Sequence, residues 1–300
     1  MAVPQALASR PGLADPLGGR AAASKRWGRL GLLAPAVILL IGVFVVPLVI
    51  MLWYAFTDPQ VGFGNFTWYL GDAVQRRVLL RTFTTAITVT AVCVVLGYPY
   101  AYAMVAAGPK LRAVLTLLVL VPFWTSLMVR TFAWVILLQD NGPIQRALAA
   151  VGLGELQLIR TNLGVIIGMS HILLPFIVLP LYAVMSNIDR RLVLASSSLG
   201  ARPMTSFLRV WLPLSLPGVG AGSLMVFISS LGFYVTPALL GSPSDSLISQ
   251  QIFTQVNGLL QWGRGGAMGV VLLASTFAIL AILMISIRRS TRQQAATTHP

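Results

Sequence analysis

Six apolar runs, each long enough to cross a bilayer, alternate along the chain with short segments that hold nearly all of its charge. A helix rises about 1.5 Å per residue, so about 20 apolar residues span the hydrocarbon core. The runs are Leu30–Phe56, Thr82–Ala107, Ala113–Leu138, Leu163–Ser186, Leu214–Leu240 and Gly265–Ile287. Arg130 interrupts the third, and Pro217 falls near the start of the fifth. The pattern predicts an all-α membrane protein with six transmembrane helices over residues 30–287 and no soluble domain. Residues 1–29 are rich in Ala, Gly and Arg without apolar periodicity and read as a disordered cytoplasmic extension. Residues 288–300 read as a basic, polar cytoplasmic tail.

The loops orient the spans. With both termini in the cytoplasm, the inner segments hold Arg10, Arg20, Lys25, Arg26, Arg29, Lys110, Arg112, Arg190, Arg191, Arg202, Arg209, Arg288, Arg289 and Arg292, which is 14 of the 21 basic residues. Basic residues concentrate in cytoplasmic loops of membrane proteins, so this orientation is the expected one. Arg76, Arg77 and Arg81 run against it in the first outer loop. An interfacial helix that turns Trp68, Tyr69, Leu70, Val74 and Val78 to lipid accounts for them.

Composition narrows the chemistry. The chain is 57% hydrophobic and 9% charged, whereas a soluble domain carries about 25% charged residues. The net charge of +14 is scattered over short loops, which excludes a nucleic-acid-binding domain. The single cysteine, Cys93, lies in an apolar run, so no disulfide framework or metal cluster is expected. All seven carboxylates, Asp15, Asp58, Asp72, Asp140, Glu155, Asp189 and Asp245, fall outside the runs. Carriers driven by protons or sodium place an acid near the midplane, so a secondary carrier is disfavoured. No Gly-x-x-x-x-Gly-Lys-Ser/Thr loop is present, so this chain is not expected to be an enzyme or to hydrolyse ATP. His171, the one histidine within a run, reads as a hydrogen-bonded helix-packing residue rather than a ligand, and Gly218, Gly220 and Gly222 as close helix contacts.

One polar segment stands out. From Asp189 the chain reads helix, stop, helix: Leu194-Ala-Ser-Ser-Ser-Leu-Gly-Ala201, then Phe207, Val210 and Leu212-Pro213. Gly200 suits a helix C-terminus and Pro203 the first turn of a following helix. Phe207, Val210 and Leu214 are spaced to form one apolar face. Small residues from Ala195 to Ser198 leave the first helix thin, so another protein surface can come close. An amphipathic loop lying on the membrane is the alternative on these grounds alone.

Segment 189–212 resembles the coupling loop of bacterial ABC-importer permeases, which reads Glu-Ala-Ala-x-x-Leu-Gly-Ala followed by an aliphatic residue, a variable residue and Leu-Pro. Ala195, Leu199, Gly200 and Ala201 match, as do Val210, Trp211, Leu212 and Pro213 at the family's spacing. Leu194 stands where the family has Glu, and Ser196 where it often has Ala. The resemblance implies that this loop sits in a groove of a separate ATPase subunit. It extends over about Leu30 to Ile287 and is nearest the spermidine/putrescine branch, in the first of its two permease subunits. Pro122-Phe-Trp-Thr-Ser-Leu-Met-Val-Arg130-Thr-Phe-Ala-Trp134, Leu174-Pro-Phe-Ile-Val-Leu-Pro-Leu-Tyr182 and Leu231-Gly-Phe-Tyr-Val-Thr-Pro-Ala-Leu-Leu-Gly241 carry that similarity.

The resemblance implies a type I ABC-importer permease fold with a core unit of about 82–287, in a bacterial inner membrane. It implies a second permease subunit, an ATPase dimer that binds ATP and Mg, and an extracytoplasmic solute-binding protein, with no cofactor held by this chain. A cationic solute needs carboxylates or aromatic faces. Trp124, Trp134 and Tyr234 are the candidate rings, and Asp140 a candidate acid at the outer mouth. Arg130 repels a cation, and points either to a structural ion pair or to an anionic or zwitterionic solute. A membrane scaffold without transport is the rival of another class.

Overall fold

The computed structural model describes residues 18–152 and 156–296. Expectations for 1–17, and for 297–300 of the tail, lie outside the described residues. The chain divides after Trp53 into two units. The first is helix α1, Gly18–Thr57, up to that point; it contains Pro35 and Pro47 and begins inside the segment read as a disordered extension.

Every regular element of the second unit among the described residues is a helix. Helices α2 (Gly64–Gly71), α3 (Ala73–Ala106), α4 (Pro109–Trp124), α5 (Leu127–Leu138), α6 (Pro143–Ala150) and α7 (Asn162–Ser186) come first. Then follow α8 (Arg190–Ser198), α9 (Pro203–Ser206), α10 (Leu212–Leu231), α11 (Val235–Leu240), α12 (Ile248–Phe253) and α13 (Trp262–Ala296). A π-helical turn, Phe207–Trp211, joins α9 to α10. Five helices are long and apolar enough to cross a membrane, and a bent pair supplies the sixth span.

Two expected spans are corrected. The third, read as one run over Ala113–Leu138, is broken between α4 and α5, and the stretches Pro109–Trp124 and Leu127–Ala150 are bent by 102° at that break. Thr125 and Ser126 adopt extended conformations there, and both Thr125 N and Thr125 Oγ1 donate to Pro122 O. A threonine that bonds its local backbone competes with helix propagation. The fifth, read as Leu214–Leu240, starts in the loop at Pro203 and ends at Leu231. Gly232 stops it, and α11 restarts with Pro237 in its first turn, where the missing N–H costs nothing.

Helix α7 is the axis of the bundle. Ile177, Leu181, Met169 and Leu173 are buried, with α3 and α10 packed against the helix and against each other. Glycines permit the approach: a Cβ on Gly97 of α3 would lie 2.7 Å from Ile177 Cγ2, and one on Gly222 of α10 would lie 2.9 Å from Ile177 Cα. Gly218 packs likewise against Leu181, with 3.1 Å from its virtual Cβ to Leu181 Cα. Gly220 faces open space, contrary to its reading as a helix contact.

At the end of the bundle opposite α8, distant segments are tied together. Asp58 Oδ2 accepts from Gly263 N at 2.8 Å and so caps α13, and Asn65 Nδ2 donates to Ala55 O and Asp58 O. Thr82 Oγ1 accepts from Ile248 N at 2.9 Å, and the Arg81 guanidinium donates to Ser244 O. Arg264 lies over the Trp68 ring at 4.5 Å. The expected interfacial helix is split between α2 and the start of α3, and only part of its lipid face is as read. Leu70 and Val74 are exposed, while Tyr69 and Val78 turn inward onto Ile248 and Met268.

Candidate functional site

The loop after α7 is a helical hairpin. Asp189 caps α8 by accepting from Arg191 N at 2.9 Å. Gly200 ends the hairpin's first arm with φ +82°, a conformation that favours glycine. Ala201 N donates to Ser196 O at 3.1 Å and Gly200 N to Ser197 O at 3.0 Å, the paired bonds of a Schellman stop. Ser196 Oγ is bonded to Ser206 Oγ at 2.7 Å, which fastens the first arm to the second. The departure at Ser196 is therefore a hydrogen bond within the hairpin.

One side of the hairpin rests on the bundle. Phe207 meets Tyr98 and Tyr102 of α3 edge-on, each at 6.0 Å between centroids, and Trp211 meets Tyr102 at 5.6 Å. Tyr98 is further bonded to Ser215 of α10 at 3.0 Å. Sequence spacing placed Phe207, Val210 and Leu214 on one face. The π turn adds a residue to the register, so Trp211 is the buried partner of Phe207, while Val210 is half-buried and Leu214 is exposed. Pro213 lies in the first turn of α10. Leu194, Ala195 and Leu199 are exposed, and Ala201 is half-buried.

The pathway candidates separate into two groups. Trp134 and Arg130 share α5, and Trp134 Nε1 donates to His171 Nδ1 of α7 at 3.1 Å. Arg130 lies one turn before Trp134 on α5, and its buried Nε has no hydrogen-bond partner among the described residues. His171 thus hydrogen-bonds and packs edge-on across α7 and α5, in keeping with its reading as a packing residue, although it is exposed at mid-helix. An ionisable group at that depth faces the bundle interior or water rather than lipid. Helix α11 adjoins this group, since Thr131 and Thr236 hydroxyls meet at 3.2 Å, and Gly168 of α7 makes room for Leu240. Tyr234, at the start of α11, stacks on Phe253 at 4.7 Å. Trp124, 89% exposed at the end of α4, and Asp140, exposed beyond α5, stand apart from them. No sequence motif links Trp134 to His171. The signal that could have found the pair was the isolated polarity of His171 in an apolar run.

Five helices able to cross a membrane, a bent pair that makes a sixth span, and a helical hairpin presented at one end fit the membrane subunit of a transport system. The chain belongs to the family of binding-protein-dependent transport system inner membrane components, which matches residues 94–293. It is 34% identical to the spermidine/putrescine transport system permease protein PotB of Escherichia coli (strain K12) over 210 residues, 69% of this chain and 76% of that protein. It is 31% identical to the protein of the same name from Haemophilus influenzae over 220 residues, 73% of this chain and 76% of that one. A bacterial alginate ABC transporter, solved with an alginate pentasaccharide-bound periplasmic protein, has a chain of the same fold. Its TM-score is 0.70 at 19% identity, covering 89% of this chain and 96% of that one. The chain is thus a multi-pass permease of an ABC importer in the inner membrane.

Proposed function

We propose that this chain is one of two permease subunits of an ATP-driven importer that carries a polyamine by alternating access. The observation that carries the substrate is the 34% identity, over most of the chain, to a permease named for spermidine and putrescine. The partners are a second permease subunit, a pair of ATPase subunits that bind ATP and Mg, and an extracytoplasmic binding protein that delivers the solute. Closure of the ATPase pair moves the α8–α9 hairpin, and the ring contacts from Phe207 and Trp211 carry that movement to α3. With no acid in the spans, aromatic faces hold the cation in transit. A second reading, an anionic or zwitterionic solute, is favoured by the buried Arg130 Nε, which has no hydrogen-bond partner among the described residues.

Uptake of radiolabelled spermidine and putrescine by cells expressing the whole complex tests both readings. Trp134→Ala is expected to lower polyamine uptake by about 2- to 30-fold at unchanged protein level, the loss of one cation–aromatic contact of about 0.5–2 kcal/mol. Arg130→Gln is expected to alter gating or yield, not polyamine affinity. If the parent complex takes up no polyamine, and Arg130→Gln abolishes uptake of an anionic solute, the second reading replaces the first.

The orientation proposed is cytoplasmic for both termini and the hairpin, with Gly142 and Ser244 outside. In a Cys93→Ala background, Ser244→Cys is expected to react with an impermeant maleimide on intact cells. A cysteine in place of Ser198 is expected to react only after the membrane is opened. The reverse labelling pattern would invert the topology.

A further inference from the structure

Of the three arginines in the first outer loop that run against the charge bias, the fold engages one. Arg81 donates to Ser244 O. Arg76 and Arg77, near the start of α3, are exposed and form no ion pair with a described residue. Asp72, the acid nearest to them in sequence, is engaged as the cap of α3 and accepts from Val74 N at 2.8 Å. Apolar side chains adjoin the two arginines on the helix surface: Val74 is 60% exposed and Leu80 66%. Residues three and four apart on a helix are neighbours, so Leu80 lies one turn below both Arg76 and Arg77. The same face continues through Thr84, Ile87 and Ala91, all exposed. The Thr84 hydroxyl is satisfied within the helix, donating to Arg81 O at 3.0 Å.

Further down, this face opens into a groove. Ile87 and Ala91 of α3, Gly220, Leu224 and Phe227 of α10 and Ile279 of α13 line a space of about 570 Å³. Gly220 leaves it open, since a Cβ there would meet no atom within 4 Å. At 1.5 Å per residue, Ile87 lies about 15 Å below Arg77 along α3. That is half of the hydrocarbon core, which is about 30 Å thick. With the two guanidiniums at headgroup level, the groove is at the depth where acyl chains end.

We infer that Arg76 and Arg77 bind the phosphate of an anionic phospholipid, one acyl chain of which runs down α3 into this groove. Charge complementarity assigns the headgroup. Two guanidiniums without a protein anion favour a headgroup of net negative charge over one whose phosphate is offset by an ammonium. Depth assigns the tail, because the apolar stripe and the groove follow one another on the face below the charges. An acidic surface of a soluble partner also pairs with arginines. Val74 and Leu80 speak against it, because arginine heads above exposed apolar side chains are the pattern of a membrane interface. A protein helix also fills a groove, but it leaves the arginines without an anion. The inference does not depend on which solute the importer carries.

The test uses the whole complex, purified in detergent and depleted of lipid, with its melting temperature as the readout. Dioleoyl phosphatidylglycerol is expected to raise it saturably, at concentrations at least about ten-fold below those of dioleoyl phosphatidylcholine. The double variant Arg76→Gln/Arg77→Gln is expected to melt as the parent does without lipid and to lose that preference. High salt is expected to remove it from the parent. Gly220→Leu fills the groove, and is expected to blunt the response to phosphatidylglycerol with both arginines intact. A second measurement reads the groove without filling it. Bimane on Ala91→Cys in a Cys93→Ala background, in nanodiscs, is expected to be quenched by tail-brominated phosphatidylglycerol at a lower mole fraction than by tail-brominated phosphatidylcholine. Equal melting responses of the parent to the two lipids would overturn the inference. So would a preference that survives in the arginine variant. Quenching by neither brominated lipid would put a protein helix in the groove and overturn it as well.

Discussion

Gly200→Val is expected to reach the membrane in normal amount and to import nothing. Gly200 has φ +82° and no atom within 4 Å of a virtual Cβ, so the damage comes from the backbone and not from a clash. The left-handed conformation costs an ordinary L-residue about 1–2 kcal/mol, and a β-branched side chain is a stronger outlier there. The strain is relieved by unwinding the stop. That removes the bonds from Ala201 N to Ser196 O and from Gly200 N to Ser197 O, and swings the second arm off Ser196. The hairpin then no longer presents its outer side as one surface. Gly200→Asn is the control, because asparagine visits this conformation routinely. It should retain most uptake, measured beside ATPase stimulation by the loaded binding protein. Equal uptake by the valine variant, the asparagine variant and the parent would remove the hairpin from the coupling route.

The second large effect is on folding. Gly222→Val should yield little folded protein, judged by size-exclusion profile and thermal melting in detergent. Its Cβ would lie 2.8 Å from Ile177 Cγ1 and 2.9 Å from Ile177 Cα. The second of these is main chain of the central helix and has no rotamer to escape into. Overpacking of this kind costs about 1–3 kcal/mol, and membrane helices depend on such close approach for their association. Gly97→Ala meets the same isoleucine from α3, but its short contacts are to side chains, Ile177 Cγ2 at 2.7 Å and Val178 Cγ2 at 3.4 Å. Adding Ile177→Ala should therefore rescue Gly97→Ala well and Gly222→Val only in part. Gly220→Ala, with open space around it, should melt as the parent does. A stable Gly222→Val would mean that α10 and α7 are not packed as described.

The two glycines also show where sequence reading stops. Apolar length located six spans, because each must satisfy its backbone within a helix in lipid. It did not locate the breaks. Hydropathy is blind to a turn inside an apolar run, although Thr125-Ser126 after Pro122, and Gly232 before Pro237, carried the chemistry of one. The hairpin was legible because its conformation is set locally: Gly200, Asp189 and Pro203 are stop, cap and start in their own sequence context. Its packing was not legible, because one π turn shifts the register and exchanges Val210 for Trp211. Trp134 and His171 lie 37 residues apart on different helices, and only the fold brings them together. Tyr69 looked like a lipid-facing ring because the residues that cover it, Ile248 and Met268, come from the far end of the chain.

The two ends of the bundle are fastened by different kinds of force. Around Asp58, Arg81 and Thr82 the joints are directional bonds to main-chain groups, which lose most of their strength within an ångström or a few tens of degrees. Around Phe207 and Trp211 the contacts of the hairpin with α3 are ring edges, which are less directional than a hydrogen bond. A thrust delivered at the hairpin thus meets a compliant bearing first and a stiff fulcrum last. On the proposed coupling route, the bundle is expected to swing about its tied end, with the largest displacement at the hairpin.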